Sequence, residues 1–160
     1  MFNFFKRNKK EIDWDLIKSQ DPNTVYPKNS ISLLMGQTEN SNPTTGWVDL
    51  GYKPYEYKKQ CPININLTID ILSDEDQTID MGFIEDLLTD SLREKCVAHP
   101  ISRVSTDSGL VMDYYVDNLE NAKNILSDIS DSKKNKLKID YNTNLDPKWK
   151  TYRNIARAVR

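Results

Sequence analysis

The sequence predicts an α+β fold: a ferredoxin-like βαββαβ antiparallel sheet with two helices on one face, extended by an N-terminal β-hairpin and a short C-terminal helix. Three observations predict it. Between Pro62 and Asn142 the hydrophobic period changes from two to about 3.6 residues and back, twice. Ahead of that stretch, two apolar runs flank a segment dense in turn formers. Beyond it, an Asp-Pro pair precedes an aromatic stripe at helical spacing. A chain of 160 residues fits one domain, which buries roughly 70% of the surface its unfolded form exposes. The expected organisation of residues 1–160 is a flexible 1–10, a hairpin region at 11–60, the βαββαβ core at 62–142 and a helix at 146–160.

Trp14 sits in a polar context, followed by Pro22, Pro27 and the apolar run Ile31 to Met35. Asn40 to Gly46 supplies the turn, and Trp47-Val48-Asp49-Leu50 returns as the partner strand. The first core strand alternates Ile63, Ile65, Leu67, Ile69 and Ile71 with Asn64, Asn66, Thr68 and Asp70. An acidic turn, Ser73-Asp74-Glu75-Asp76, leads to a helix with Ile84, Leu87, Leu88 and Leu92 on one side, Asp80 as N-cap and Arg93 and Lys95 near the negative end of its dipole. His99-Pro100 is expected to end it. Ile101 to Thr106 and Leu110 to Val116 form a hairpin through Asp107-Ser108-Gly109, whose glycine tolerates positive φ. Asp117 and Glu120 form a capping box that opens a helix through Leu119, Ala122, Ile125, Leu126 and Ile129, and Lys133-Lys134-Asn135 breaks it. Leu137, Ile139 and Tyr141 form the last core strand. Asp146 as N-cap and Pro147 at the first helical position open a final helix with Trp149, Tyr152, Ile155, Ala156 and Val159 on its apolar side.

Right-handed crossovers put both core helices on one side of the sheet. The other side, with Asn64, Asn66, Asp70, Arg103, Asp113, Tyr115, Lys136 and Lys138, is expected to be open or covered by the N-terminal hairpin.

The residue inventory argues against catalysis. The one histidine, His99, stands beside a proline, and Cys96 three residues away has no orienting Asn or Asp for a nucleophilic dyad. Cys61 and Cys96 have no metal or redox spacing and read as reduced thiols, which suits a cytoplasmic location. Asp74 to Asp76 lack the spacing of a calcium loop. Five glycines form no phosphate-binding or nucleophile-elbow motif. No cofactor is expected. The amino terminus lacks the apolar core of a signal peptide, and no run is long enough to span a membrane.

Charge is the remaining signal. Residues 62–132 carry four Lys or Arg against fifteen Asp or Glu, a balance of −11, whereas residues 133–160 carry nine against two, a balance of +7. Glu85, Asp86 and Asp90 on the first helix would concentrate negative potential that attracts a basic protein and repels nucleic acid. An RNA-binding sheet is disfavoured further, because Tyr115 stands without the aromatic and basic run of such platforms. The candidate partner-binding residues are therefore Glu85, Asp86, Asp90, Asn64, Asn66, Asp70, Arg103, Asp113 and Tyr115.

Six features recur in one order: Trp14, the strand Pro62 to Leu72, Ile84-Glu85-Asp86-x-Leu88, Arg103-Val104-Ser105-Thr106 before Gly109, Tyr114-Tyr115-Val116, and Asp146-Pro147-x-Trp149-x-x-Tyr152. In these the chain resembles the bacterial domain-of-unknown-function family 695. Members are sometimes joined to a domain similar to the regulator B of ribonuclease E activity, and the expectation here is that no such domain follows the Trp149 motif. The resemblance implies no catalytic residues. The reading is a non-enzymatic protein-binding module. The alternatives are a ribonuclease regulator or an immunity protein neutralising a basic toxin, and a small-ligand or enzymatic pocket between the sheet and the N-terminal hairpin.

Overall fold

The computed structural model describes residues 11–72 and 80–159. Its elements in chain order are α1 (Trp14–Gln20), α2 (Pro22–Val25), β1 (Ile31–Gln37), β2 (Pro43–Asp49), two 3-10 turns (Leu50–Tyr52 and Lys58–Gln60), β3 (Ile63–Ile71), α3 (Met81–Arg93), β4 (Ala98–Ser105), β5 (Gly109–Val116), α4 (Leu119–Lys133), β6 (Leu137–Leu145) and α5 (Lys150–Ala158). The expected flexible residues 1–10, the acidic turn Asp74-Glu75-Asp76 and Arg160 lie outside the described residues. Among the described residues, no helix is long and apolar enough to cross a membrane.

The six strands form one antiparallel sheet in the order β1-β2-β4-β5-β3-β6. Period-two alternation sorts its faces. Ile65, Leu67 and Ile69 of β3 pair with Tyr114, Met112 and Leu110 of β5, and this face packs against Ile84, Leu88 and Leu92 of α3 and Ala122, Leu126 and Ile129 of α4. Asp80 caps α3 as expected, its carboxylate accepting from the Gly82 N–H at 2.9 Å.

The N-terminal hairpin forms, but it extends the sheet in its own plane instead of covering a face. Gly46, Trp47 and Val48 of β2 pair with Val104, Arg103 and Ser102 of β4. Gly46 permits the close approach, since a Cβ there would lie 2.3 Å from the Arg103 carbonyl oxygen. At the far end, the Asp107 carboxylate accepts from Thr38 Oγ1 and Asn42 Nδ2, both at 2.7 Å, and from Asn40 Nδ2 at 2.9 Å, tying the β1–β2 turn to the β4–β5 turn.

The second face carries its own core. Val48, Ile101 and Tyr115 from the sheet pack with Tyr52, Tyr55, Cys61, Trp149, Tyr152 and Ala156, so the 3-10 segment and α5 are its cover. Trp149 is fully buried, stacks on Tyr115 at 4.0 Å between centroids and 11° between planes, and donates from Nε1 to the carbonyls of Lys58 (3.0 Å) and Cys61 (2.9 Å).

Several local expectations are corrected. His99-Pro100 does not end a helix. α3 stops at Arg93, and both residues lie inside β4, where the ladder to β2 covers only Ser102–Val104, leaving proline's missing N–H harmless. The register shifts between Pro100 and Ser102, so Arg103 pairs with Met112 and projects to the helix side, not to the polar face. Asn118, not Asp117, caps α4 by accepting from the Asn121 N–H at 2.9 Å, because Asp117 is engaged by the Val97 N–H (2.8 Å) and Trp14 Nε1 (3.0 Å). α5 begins at Lys150 rather than Asp146: Trp149 is left-handed at φ 52°, and its N–H closes a turn on the Asp146 carbonyl. Gly109 has no positive φ. Its role is close approach, as a Cβ would lie 1.9 Å from the Ile69 carbonyl oxygen. Lys136 precedes β6 instead of lying on the sheet face.

Replacing Trp149 with alanine removes the stack, two indole hydrogen bonds and the largest fully buried side chain of the second core. The expected loss is about 3–5 kcal/mol of unfolding free energy, read by urea denaturation. Met35→Ala, at an 89% exposed position, should change stability by less than about 0.5 kcal/mol.

Candidate functional site

The side of α5 that faces solvent forms one wall of a groove of about 520 Å³ against the 53–58 segment. Five cations line it: Lys53 and Lys58 from the segment, Lys148 from the turn before α5, and Arg153 and Arg157 one helical turn apart on α5. Its floor is Tyr152, Ala156 and Val159. Among the described residues no carboxylate lines the groove, and none of the five cations makes an ion pair. Lys58 is half-buried, with Nζ donating to the carbonyls of Tyr55 (2.8 Å) and Lys53 (3.0 Å) and lying 5.7 Å from the Trp149 ring centroid. Burial lowers its pKa, so an anion entering the groove would stabilise its charged form.

The groove depends on the Asp146-to-Tyr152 turn. Tyr115 Oη donates to Asp146 Oδ2 at 2.6 Å, and the same oxygen accepts from the Thr151 N–H at 3.0 Å. Burial raises the Asp146 pKa, but the backbone N–H groups of Lys150 and Thr151 and the Tyr115 hydroxyl outweigh it and hold the carboxyl below the usual range. Tyr152 Oη donates to the Asp49 carbonyl at 2.9 Å, fastening α5 to the end of β2.

Beside Trp149 lies His99, fully buried with Tyr26, Tyr52, Tyr55 and Trp149 around it at 4.8–5.9 Å between ring centroids. Neither imidazole nitrogen has a hydrogen-bond partner among the described residues. Burial, helped by the Arg93 charge, pushes its pKa down to about 3. It is a neutral packing residue. Burial likewise pushes the Cys96 thiol up to about 12 and raises that of Cys61, so neither is a ready nucleophile at neutral pH. No group of three His, Cys, Asp or Glu among the described residues is placed to hold a metal ion.

The sequence candidates fall into separate places. Glu85 forms an ion pair with Arg103 Nε at 2.6 Å beneath the edge of α3, so neither presents a free charge. Asp86 and Asp90 are exposed on α3. Asn64 is buried, donating from Nδ2 to Asp113 Oδ1 (3.4 Å) and the Tyr114 carbonyl (3.1 Å). Asp113 also accepts from Ser102 Oγ at 3.4 Å, and burial raises its pKa against the hydrogen bonds of Asn66, Asn64 and Ser102. Asn66 stands beside this cluster, half-buried, and Asp70 accepts from Ser108 at the far end of the sheet. Tyr115 is wholly buried under Trp149. Asn64, Asp113 and Tyr115 are therefore packing and hydrogen-bonding residues rather than contact residues for a partner. The groove was missed because its cations come from two segments about a hundred residues apart. The available signals were the +7 balance of residues 133–160 and the basic side of the final helix.

A second cavity of about 320 Å³ between α1 and the end of α3 is lined by Lys18, Tyr26, Arg93, Lys95 and Asp117, but Lys18 is already paired with Asp117 at 3.6 Å. No family model, curated protein or solved structure matches the chain.

His99 is the only histidine, so its titration is isolated. Folded His99 stays neutral down to about pH 3, whereas the unfolded chain protonates it near pH 6.5. Stability is then flat just above pH 6.5 and falls as pH drops below it, before the carboxylates titrate. Urea denaturation between pH 7 and 5 should show this slope, and His99→Leu should flatten it. An unchanged slope in the variant would contradict the buried neutral assignment.

Proposed function

We propose that the protein is a non-enzymatic protein-binding module whose groove beside α5 takes an acidic, partly apolar segment of another protein. The observation that carries this reading is the groove's composition among the described residues, five cations and an apolar floor without one carboxylate. Carboxylates of an acidic segment would reach the lysine and arginine heads while its apolar side chains pack on Val159 and the aliphatic stems of those cations. Single-stranded nucleic acid also seeks cations, but it binds by stacking bases on accessible rings. Here Tyr152 and Trp149 are 1% and 0% exposed, which favours a peptide.

The core supports a finer architectural reading. β4-β5-β3-β6 is the strand order of a ferredoxin-like βαββαβ unit, and β1-β2 adds two strands at the β4 edge. The motif by which the chain resembles domain-of-unknown-function family 695, Asp146 to Tyr152, is occupied in anchoring α5, which agrees with a binding role rather than catalysis.

A second reading keeps the basic partner suggested by the acidic helix, the ribonuclease regulator or toxin-immunity case. Its support is that Asp86, Asp90 and Glu94 recur every four residues along α3 and its cap, all exposed.

Fluorescence anisotropy with labelled synthetic peptides separates these. A peptide alternating glutamate with leucine should bind, weaken as salt rises, and lose tenfold or more in affinity, about 1.4 kcal/mol, in Arg153→Glu/Arg157→Glu. A lysine–leucine peptide binding in preference, with loss in Asp86→Lys/Asp90→Lys, would support the second reading against the first. Preference for an oligonucleotide would contradict both.

A further inference from the structure

Among the described residues, strand β1 is an edge of the sheet that none of the usual devices protects. Natural edges are blunted by charge, proline, bulges or a covering element. The other edge, β6, carries Lys138 and Asp140 within the strand, whereas Ile31-Ser32-Leu33-Leu34-Met35-Gly36-Gln37 has no charge and no proline, and its register with β2 runs without a shift. Among the described residues, no strand pairs with its outer side.

The backbone phase is fixed by the ladder's two ends. The Leu50 N–H donates to the Ser30 carbonyl and the Thr38 N–H to the Asn42 carbonyl, so the even-numbered residues from 30 to 38 are those bonded to β2. The N–H and C=O groups of Ile31, Leu33, Met35 and Gln37 therefore point outward. The side chains of Ile31, Leu33 and Met35 stand on the same side of the sheet as Trp47 and the helices, 51%, 78% and 89% exposed.

We propose that β1 pairs antiparallel with β1 of a second copy of this chain, across a two-fold axis at Leu34. This register sets Leu33 opposite the partner's Met35 and Ile31 opposite the partner's Gln37. It engages all four outward residues of each copy, and it makes one apolar strip from the Leu33 and Met35 side chains of both chains. A second copy fits better than a charged peptide because the strand is uncharged and a two-fold makes its own sequence the complement. Two seven-residue strands bury less than the roughly 1,200 Å² of a stable interface. The dimer is therefore concentration-dependent. The groove beside α5 is not involved, so the two proposals stand or fall separately.

Sedimentation equilibrium from micromolar to millimolar concentration tests it, with thermal melts confirming that these exposed substitutions leave the fold intact. The wild-type protein should dimerise as concentration rises, and Leu33→Lys/Met35→Lys, which opposes lysine to lysine, should weaken dimerisation tenfold or more. Leu33→Glu/Met35→Lys should restore it, because each introduced glutamate then faces the partner's introduced lysine. A wild type that stays monomeric, or that instead captures an unrelated extended peptide as a monomer, overturns the proposal. So does a double-lysine variant that dimerises as well as the wild type, or a Glu/Lys variant that stays monomeric.

Discussion

The stack of Trp149 on Tyr115 is the contact on which the second half of the structure depends. The helix-side core is a common solution, in which a period-two row meets a 3.6-residue row. The opposite face of the sheet is covered from two segments far apart in the chain, the 3-10 segment between β2 and β3 and α5 after β6, and Trp149 joins them: its ring lies on Tyr115 while its Nε1 reaches the Lys58 and Cys61 carbonyls. Holding a bulky residue in the left-handed region costs free energy, so the local turn is maintained by this burial rather than by its own preference.

The groove follows from that junction. Once Trp149 is seated, Asp146 and Tyr152 fix the direction of α5 through Tyr115, Thr151 and the Asp49 carbonyl. The basic side of α5 then stands across from Lys53 and Lys58, with no acidic residue between them among the described residues. Concentrating like charge in this way works against stability, and the fold carries that cost where the protein surface is otherwise mixed in sign. The buried histidine beside Trp149 serves the same scaffold, filling an aromatic cage in its neutral form.

The core elements were legible because each has a local cause. The isoleucine row of β3, the Asp80 cap and the apolar side of α3 are each patterns confined to a short stretch of neighbouring residues. What was not legible depends on distance or on one residue of register. Arg103 changes face because a bulge at Pro100 inserts one residue, and alternation alone gives no sign of it. Asp117 and Asn118 are both good caps, and the choice is made by Val97 and Trp14, which come from elsewhere in the chain. Asp146 looks like a helix cap and acts as one only in part, since Tyr115 holds its carboxylate and delays the helix to Lys150. The hairpin was visible, but its place in the sheet rests on Gly46, whose missing Cβ matters only against a strand more than fifty residues away.

Native-state hydrogen exchange of the α5 amides tests most directly whether this helix is part of the cooperative fold. If Trp149 joins the two covers to the sheet, the Arg153, Ile155 and Ala156 amides exchange only through global unfolding, with the same opening free energy as those of β3 and β5. Exchange of these amides by local opening, several kcal/mol below the sheet, would show α5 to be an independent arm and the groove to be transient.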